Sequence, residues 1–169
     1  VFDPYVNTAL ITGQHAYMIY DVVMALDKEL RPQPQMAESV SASTDGLVYT
    51  IRLRPGLTFH DGSPVVGADV AASLDRWSKR DSNGQTMRSL DLQIATPDPA
   101  TVTLTLREKW GLVLDSLAHA GTYASFVMRA KDLGAEATTP VSGYVGSGPY
   151  KFVESELVPG SRMVYARNA

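Results

Sequence analysis

Residues 47–77 constrain this chain more than any other stretch, because within them a strand ends, a turn is forced and a helix starts. Leu47, Tyr49, Ile51 and Leu53 alternate with Val48, Thr50, Arg52 and Arg54, a mostly polar set, which is the period of a strand with one buried face. Pro55-Gly56 closes it. Leu57-Thr58-Phe59 is a second short extended piece, and Asp61-Gly62-Ser63-Pro64 then sets breakers beside turn formers, which predicts a tight turn. A helix follows, with Asp69 near its start, Val70, Leu74 and Trp77 on one face, and Arg76, Lys79 and Arg80 at the far end. Both charge biases suit the helix dipole.

The flanks read as short alternating elements. Phe2-Asp3-Pro4-Tyr5 is an extended lead-in, and a helix is expected from about Gly13 to Leu30, with Ile19, Val22, Val23 and Leu26 on one face and Pro32 and Pro34 ending it. Residues 36–43 should pair with the strand after them through the Thr44-Asp45-Gly46 turn, and residues 80–85 read as a polar loop. Residues 90–96 and 101–107 predict a second hairpin around Pro97-Asp98-Pro99-Ala100. A short helix over 110–119, stopped by Gly121, a buried strand over 123–128, a helical turn over 130–133 and a loop over 136–143 come next. A last hairpin joins 148–154 to 162–167 through Val158-Pro159-Gly160-Ser161. The sum is an α+β chain, with mixed and antiparallel sheets flanked by helices and no internal repeat.

Its 169 residues suffice for one domain with a sizeable core, or for one lobe of something larger. A net charge of −3 without any long basic cluster excludes nucleic acid as the main partner. The chain has no cysteine, so disulfides, thiolate metal sites and thiol nucleophiles are all excluded. Apolar runs such as residues 22–26 fall far short of the ~18 residues that would span a bilayer. The chain starts at Val1 and ends abruptly at Asn168-Ala169, from which the expectation is that a signal segment was removed or that the chain was cut from a longer one at a domain boundary.

Residues that could carry chemistry have simpler structural readings. His15, His60 and His119 are not spaced as metal ligands, and His60 is expected to order its turn or face solvent. Ser63 beside His60 and Asp61 lacks a nucleophile elbow. Gly146-Ser147-Gly148 lacks the lysine and helix of a phosphate loop and reads as a glycine-rich lead into a strand. Asp3, Asp61 and Asp69 are assigned to lead-in, turn and helix N-terminus. Tyr17 and Tyr20, with Thr12, Gly13, Gln14 and His15, form an aromatic and polar segment that suits either ligand contact or core packing.

Taken in series, the motifs are more specific than any one alone. Pro34-Gln35-Met36-Ala37-Glu38-Ser39, Asp45-Gly46 running through Arg54-Pro55-Gly56, Phe59-His60-Asp61-Gly62-Ser63-Pro64, Ala68-Asp69-Val70, residues 145–154 beginning Val145-Gly146-Ser147-Gly148-Pro149-Tyr150, and Ala166-Arg167-Asn168 closely resemble the extracellular solute-binding proteins of family 5. Those are the peptide- and nickel-type substrate-binding components of ABC importers. Ser147 stands where threonine is usual, and Gly67-Ala68-Asp69 where Ala-Glu-Asp is more common. Full family members are several times longer and close two lobes around their ligand.

The resemblance implies part of lobe I of a type II, cluster C, periplasmic-binding-protein fold, with residues 1–30 and 141–169 in the lobe core and 31–140 as an inserted subdomain. It also implies a periplasmic or membrane-anchored extracytoplasmic protein that binds a peptide or small solute, meets an ABC permease, uses no cofactor or metal and catalyses nothing. Ligand contacts are expected from Thr12, Gly13, Gln14, His15 and Tyr17 and from Gly146 and Ser147. Two competing readings are a stand-alone protein-interaction domain without a small ligand, and a metal-dependent enzyme using His15, His60 and Asp61.

Overall fold

The hairpin expected at Thr44-Asp45-Gly46 organises the largest sheet. Strands β4 (Ala37–Ala42) and β5 (Val48–Leu53) pair antiparallel with Ala42 opposite Tyr49, and Gly46 supplies the positive φ of +73° that the turn needs. The second hairpin, β6 (Gln93–Asp98) and β7 (Thr101–Thr105), joins it through β5, giving the order β4-β5-β7-β6. Its turn is tighter than expected, because the strand runs on to Asp98, whose carboxylate accepts the Ala100 N–H at 2.8 Å. Tyr49, Ile51, Leu53, Val102 and Leu104 are buried, and helix α2 (Gly67–Ser78) packs against β6 and β7 and adds Val70, Leu74 and Trp77 to the same core. The strand-turn-helix corner stands as read from residues 47–77: Thr58 bridges Pro64 around Gly62, at φ +82°.

The computed structural model describes residues 2–121 and 123–168, so the readings placed on Val1 and Ala169 lie outside them. Two expectations fail. The long first helix is only α1 (Leu10–Ile19); β1 (Asp21–Val22) and β2 (Met24–Leu26) follow it, and β2 turns back onto β3 (Pro32–Pro34). Val22, Val23 and Leu26, placed on a helix face, instead belong to extended chain, where β-branched side chains fit well. Asp27 holds the β2–β3 turn by accepting the Glu29 and Arg31 N–H groups, each at 2.9 Å. Similarly, the polar loop over 80–85 contains the start of α3 (Ser82–Ser89), which Asp81 caps by accepting from Asn83 and Gly84 while Met87 is buried.

Short elements complete the chain. Helix α4 (Val113–Leu117) leads to β8 (Phe126–Val127), which pairs with β1, and a 3₁₀ turn spans Ala130–Asp132. The closing hairpin is β9 (Tyr150–Phe152) with β10 (Tyr165–Arg167). Asp3 and Arg76 are the surprise. Beyond an extended lead-in and a dipole-complementing end, they form a buried bidentate ion pair, Arg76 Nη2 reaching Asp3 Oδ2 at 2.7 Å and Nη1 reaching Oδ1 at 3.1 Å. The Tyr5 and Val141 N–H groups also donate to Asp3, which ties the N-terminal segment to α2 and to the loop before β9.

Candidate functional site

Helix α1 carries most of the sequence-predicted contact residues and sorts them by face. Thr12, Gly13, His15, Ala16 and Ile19 point inward, whereas Leu10, Ile11, Gln14 and Tyr17 are exposed. Its end is set by the glycine-rich segment. Gly148 N–H donates to the Ile19 carbonyl at 2.9 Å, and a Cβ on Gly146 would stand 1.8 Å from that oxygen, so the loop can approach only as glycine. His60 pins the same segment: its N–H donates to the Gly146 carbonyl at 2.8 Å and its Nε2 to the Gly148 carbonyl at 3.0 Å, while its Nδ1 accepts the Gly146 N–H at 3.3 Å. This fixes a neutral ring with the proton on Nε2, consistent with a pKa lowered first by burial. The ring of His60 thus neither orders its own turn nor simply faces solvent, the two readings expected of it, but pins the glycine-rich segment across the chain.

Concavities flank α1. One of about 520 Å³ lies between α1 and the β9–β10 hairpin, with Ile11, Gln14, His15 and Met18 on one side and Met163 and Tyr165 on the other. A second, of about 530 Å³, is lined by Tyr17, Asp21, Gln35 and Ser147. A third, of about 430 Å³, is polar and holds Thr8, Arg80, Ser82, Gln85, His119 and Tyr123. The structure thus brings Tyr17 and Ser147 together and places Gln14 and His15 in a different hollow. Thr12, Gly13 and Gly146 are buried in the packing.

His15 sits among rings, with centroids of Phe152 at 4.8 Å, Phe2 at 5.1 Å and Tyr144 at 5.3 Å. Its Nδ1 lies 2.8 Å from the Tyr165 hydroxyl, and burial lowers its pKa to about 4, so the ring is neutral at pH 7. Among the described residues its Nε2 and the Thr12 hydroxyl have no hydrogen-bond partner. Tyr17 is anchored differently, its hydroxyl accepting the Gly121 N–H at 2.9 Å and its ring meeting Phe126 edge to face at 4.9 Å. Sequence reasoning missed Asp21, Gln35, Arg80 and His119 as lining groups, because Asp21 fell within the helix expected from Gly13 to Leu30, which stops before it, and Arg80 in a loop. Their signal was a charged or amide residue beside an element boundary. Among the described residues no cluster of three or more His, Asp or Glu side chains could hold a metal, so His15, His60 and Asp61 do not form one.

Comparison with known proteins identifies the class. The family described as bacterial extracellular solute-binding proteins, family 5, middle, matches residues 31–169, and the chain belongs to it. A probable peptide ABC transporter periplasmic-binding protein, y4tO of Sinorhizobium fredii, is 40% identical over 99% of this chain and 31% of its own length. The glutathione-binding protein GsiB of Escherichia coli is 34% identical over 88% of this chain and 29% of its own. The periplasmic binding protein AgaA from A. tumefaciens, solved with agropinic acid, superposes with a TM-score of 0.78 at 30% identity, covering 99% of this chain and 33% of that one. The chain therefore has the fold of part of a family 5 binding protein and spans about a third of the length of these relatives. Among the described residues no helix is long and apolar enough to cross a membrane.

Proposed function

We propose that this chain serves in the substrate-binding component of an ABC importer, which captures a peptide or related small solute outside the cytoplasm, in the periplasm or anchored to the membrane, and hands it to a permease without catalysis. Family membership over residues 31–169 is the observation that carries the reading. Within it, residues 1–30 and 141–169 form the core of a first lobe and 31–140 an inserted subdomain. Gln14, Tyr17 and Ser147 are the predicted contact residues that reach a concavity while keeping some exposure, so they meet the solute; Thr12, Gly13 and Gly146 shape the backbone beneath them, and His15 forms the floor of the apolar hollow. Capture works by closure, since contacts to a second lobe shift the population toward the closed form.

Uptake of radiolabelled di- and tripeptides by the parent organism, with and without the gene, tests this. The expected outcome is loss of uptake of at least one peptide on deletion and its return on complementation. A protein-interaction domain without a small ligand would leave uptake of the whole set unchanged.

A further inference from the structure

Tyr17 grips a glycine 104 residues further along the chain. Its hydroxyl accepts the Gly121 N–H at 2.9 Å and donates to the Gly121 carbonyl at 3.3 Å. The two bonds lie on either side of one Cα. A glycine has no Cβ to restrict its two dihedrals, so this one, at φ +150°, depends on a partner outside its own segment. Among the described residues Tyr17 is the only such hydrogen-bond partner, the carbonyl otherwise accepting the neighbouring Ala124 N–H at 3.2 Å. The lever is stiff, since the Tyr17 ring stands on α1 and meets Phe126 edge to face at 4.9 Å.

The residues on either side of Gly121 line the polar hollow of about 430 Å³, His119 before it and Tyr123 after it. Tyr123 is held by other groups: its carbonyl accepts the Trp77 Nε1–H at 2.9 Å, and its ring stacks on Tyr5 at 6.4 Å. Arg80, in the same hollow, is fixed by Nε donating to the Tyr5 carbonyl at 2.8 Å. His119 instead rests on the glycine, since a Cβ on Gly121 would stand 3.3 Å from its Nε2. We propose that Tyr17 is a positioning residue for solute capture: its hydroxyl fixes Gly121, and with it the His119 wall of the polar hollow, while its ring is left to line the hollow beside β1. The clasp joins residues 1–30 to residues 31–140, the two parts read as lobe core and inserted subdomain. A solute then meets a wall already in place and does not have to order it on binding. The inference rests on the reading of the chain as part of a solute-binding component.

The test uses the complete protein with labelled glycine and histidine, and compares it with Tyr17→Phe, which keeps the ring against Phe126 and deletes both hydrogen bonds. The Gly121 amide should exchange about tenfold faster, and the His119 ring signals should move while those of His60 stay in place. The tightest-binding member of a panel of di- to pentapeptides should dissociate several-fold faster. Gly121→Ala, whose new methyl carbon crowds His119, disturbs the same wall with the Tyr17 hydroxyl intact; it should weaken binding in the same direction and serves if Tyr17→Phe does not fold. Unchanged Gly121 exchange in Tyr17→Phe would overturn the clasp. Faster exchange with unchanged peptide affinity and dissociation would make the bonds merely structural and overturn the positioning role. A loss of affinity in Tyr17→Phe that Gly121→Ala does not share would assign the hydroxyl to direct contact with the solute, and would overturn that role too. If the wild type binds no member of the panel, the peptide leaves the functional reading, and the clasp stands or falls on the Gly121 exchange and the His119 signals.

Discussion

Asp3 and Arg76 stand 73 residues apart, and nothing in their local sequence marks either as buried. Their pairing is a property of packing: both carboxylate oxygens and both terminal guanidinium nitrogens are used, and Arg76 also lies over the Tyr5 ring at 5.2 Å. Arg76→Met strands a buried carboxylate and should cost about 3–5 kcal/mol, read from a lowered urea midpoint with an unchanged slope. By contrast Lys79→Ala, which breaks an exposed pair with Asp75, should cost less than about 1 kcal/mol in the same assay. The histidines give a pH signature. For His15 the folded pKa of about 4 lies below the ordinary 6.5, so the unfolded chain takes up the proton first as pH falls. Stability is complete above pH 6.5 and is lost between 6.5 and 4, by at most about 3 kcal/mol from this ring, given the pKa values of 6.5 and about 4. His60, also lowered, acts in the same direction, whereas Asp61, held at about 2 mainly by the Ser63 hydroxyl and N–H and by Arg129, removes stability only below about 4. His15→Phe should therefore make the profile shallower between pH 6.5 and 4, leaving the part due to His60, and keep the acid limb below it, as chemical denaturation at a series of pH values would record.

At the scale of elements, local sequence was informative where pairing is local. Both hairpins of the large sheet, the corner at Gly62 and α2 could be read from alternation, turn residues and helical spacing, since each closes over a few residues. Strand β1 could not, because its partner is β8, with Asp21 opposite Val127, and a run such as residues 19–26 fits a helix face as readily as two short strands. Helix α3 was hidden by its polarity, its one buried apolar anchor being Met87. The candidate site suffered from both errors: its α1 half was legible as an aromatic and polar segment, while Asp21 and Gln35 become neighbours of Ser147 only through packing across the chain. The glycine-rich loop gives a sharp test. Gly146→Ala must push its new methyl carbon into the Ile19 carbonyl, so it should lower stability by more than about 2 kcal/mol and disturb the end of α1. Gly62→Ala meets open space and carries only the strain of φ +82°, so its cost should stay near 1 kcal/mol. Thermal unfolding of the pair of variants gives the comparison.

For the molecule as a whole, the family sets the frame: the chain covers about a third of its relatives, and the function proposed for it is capture of a solute by closure of two lobes. Closure makes affinity a joint property of both lobes, because a ligand gains only what its contacts to the second lobe add to those of the first. The hollows beside α1 are then half-sites, and the 169 residues alone should hold a solute weakly or undetectably. Calorimetric titration of the complete protein and of this 169-residue chain, side by side, with a panel of di- to pentapeptides tests the account most directly. The prediction is micromolar or tighter binding of at least one peptide by the complete protein and none detectable by the shorter chain. Equal affinity in both, or no binding by the complete protein across the panel, would contradict it.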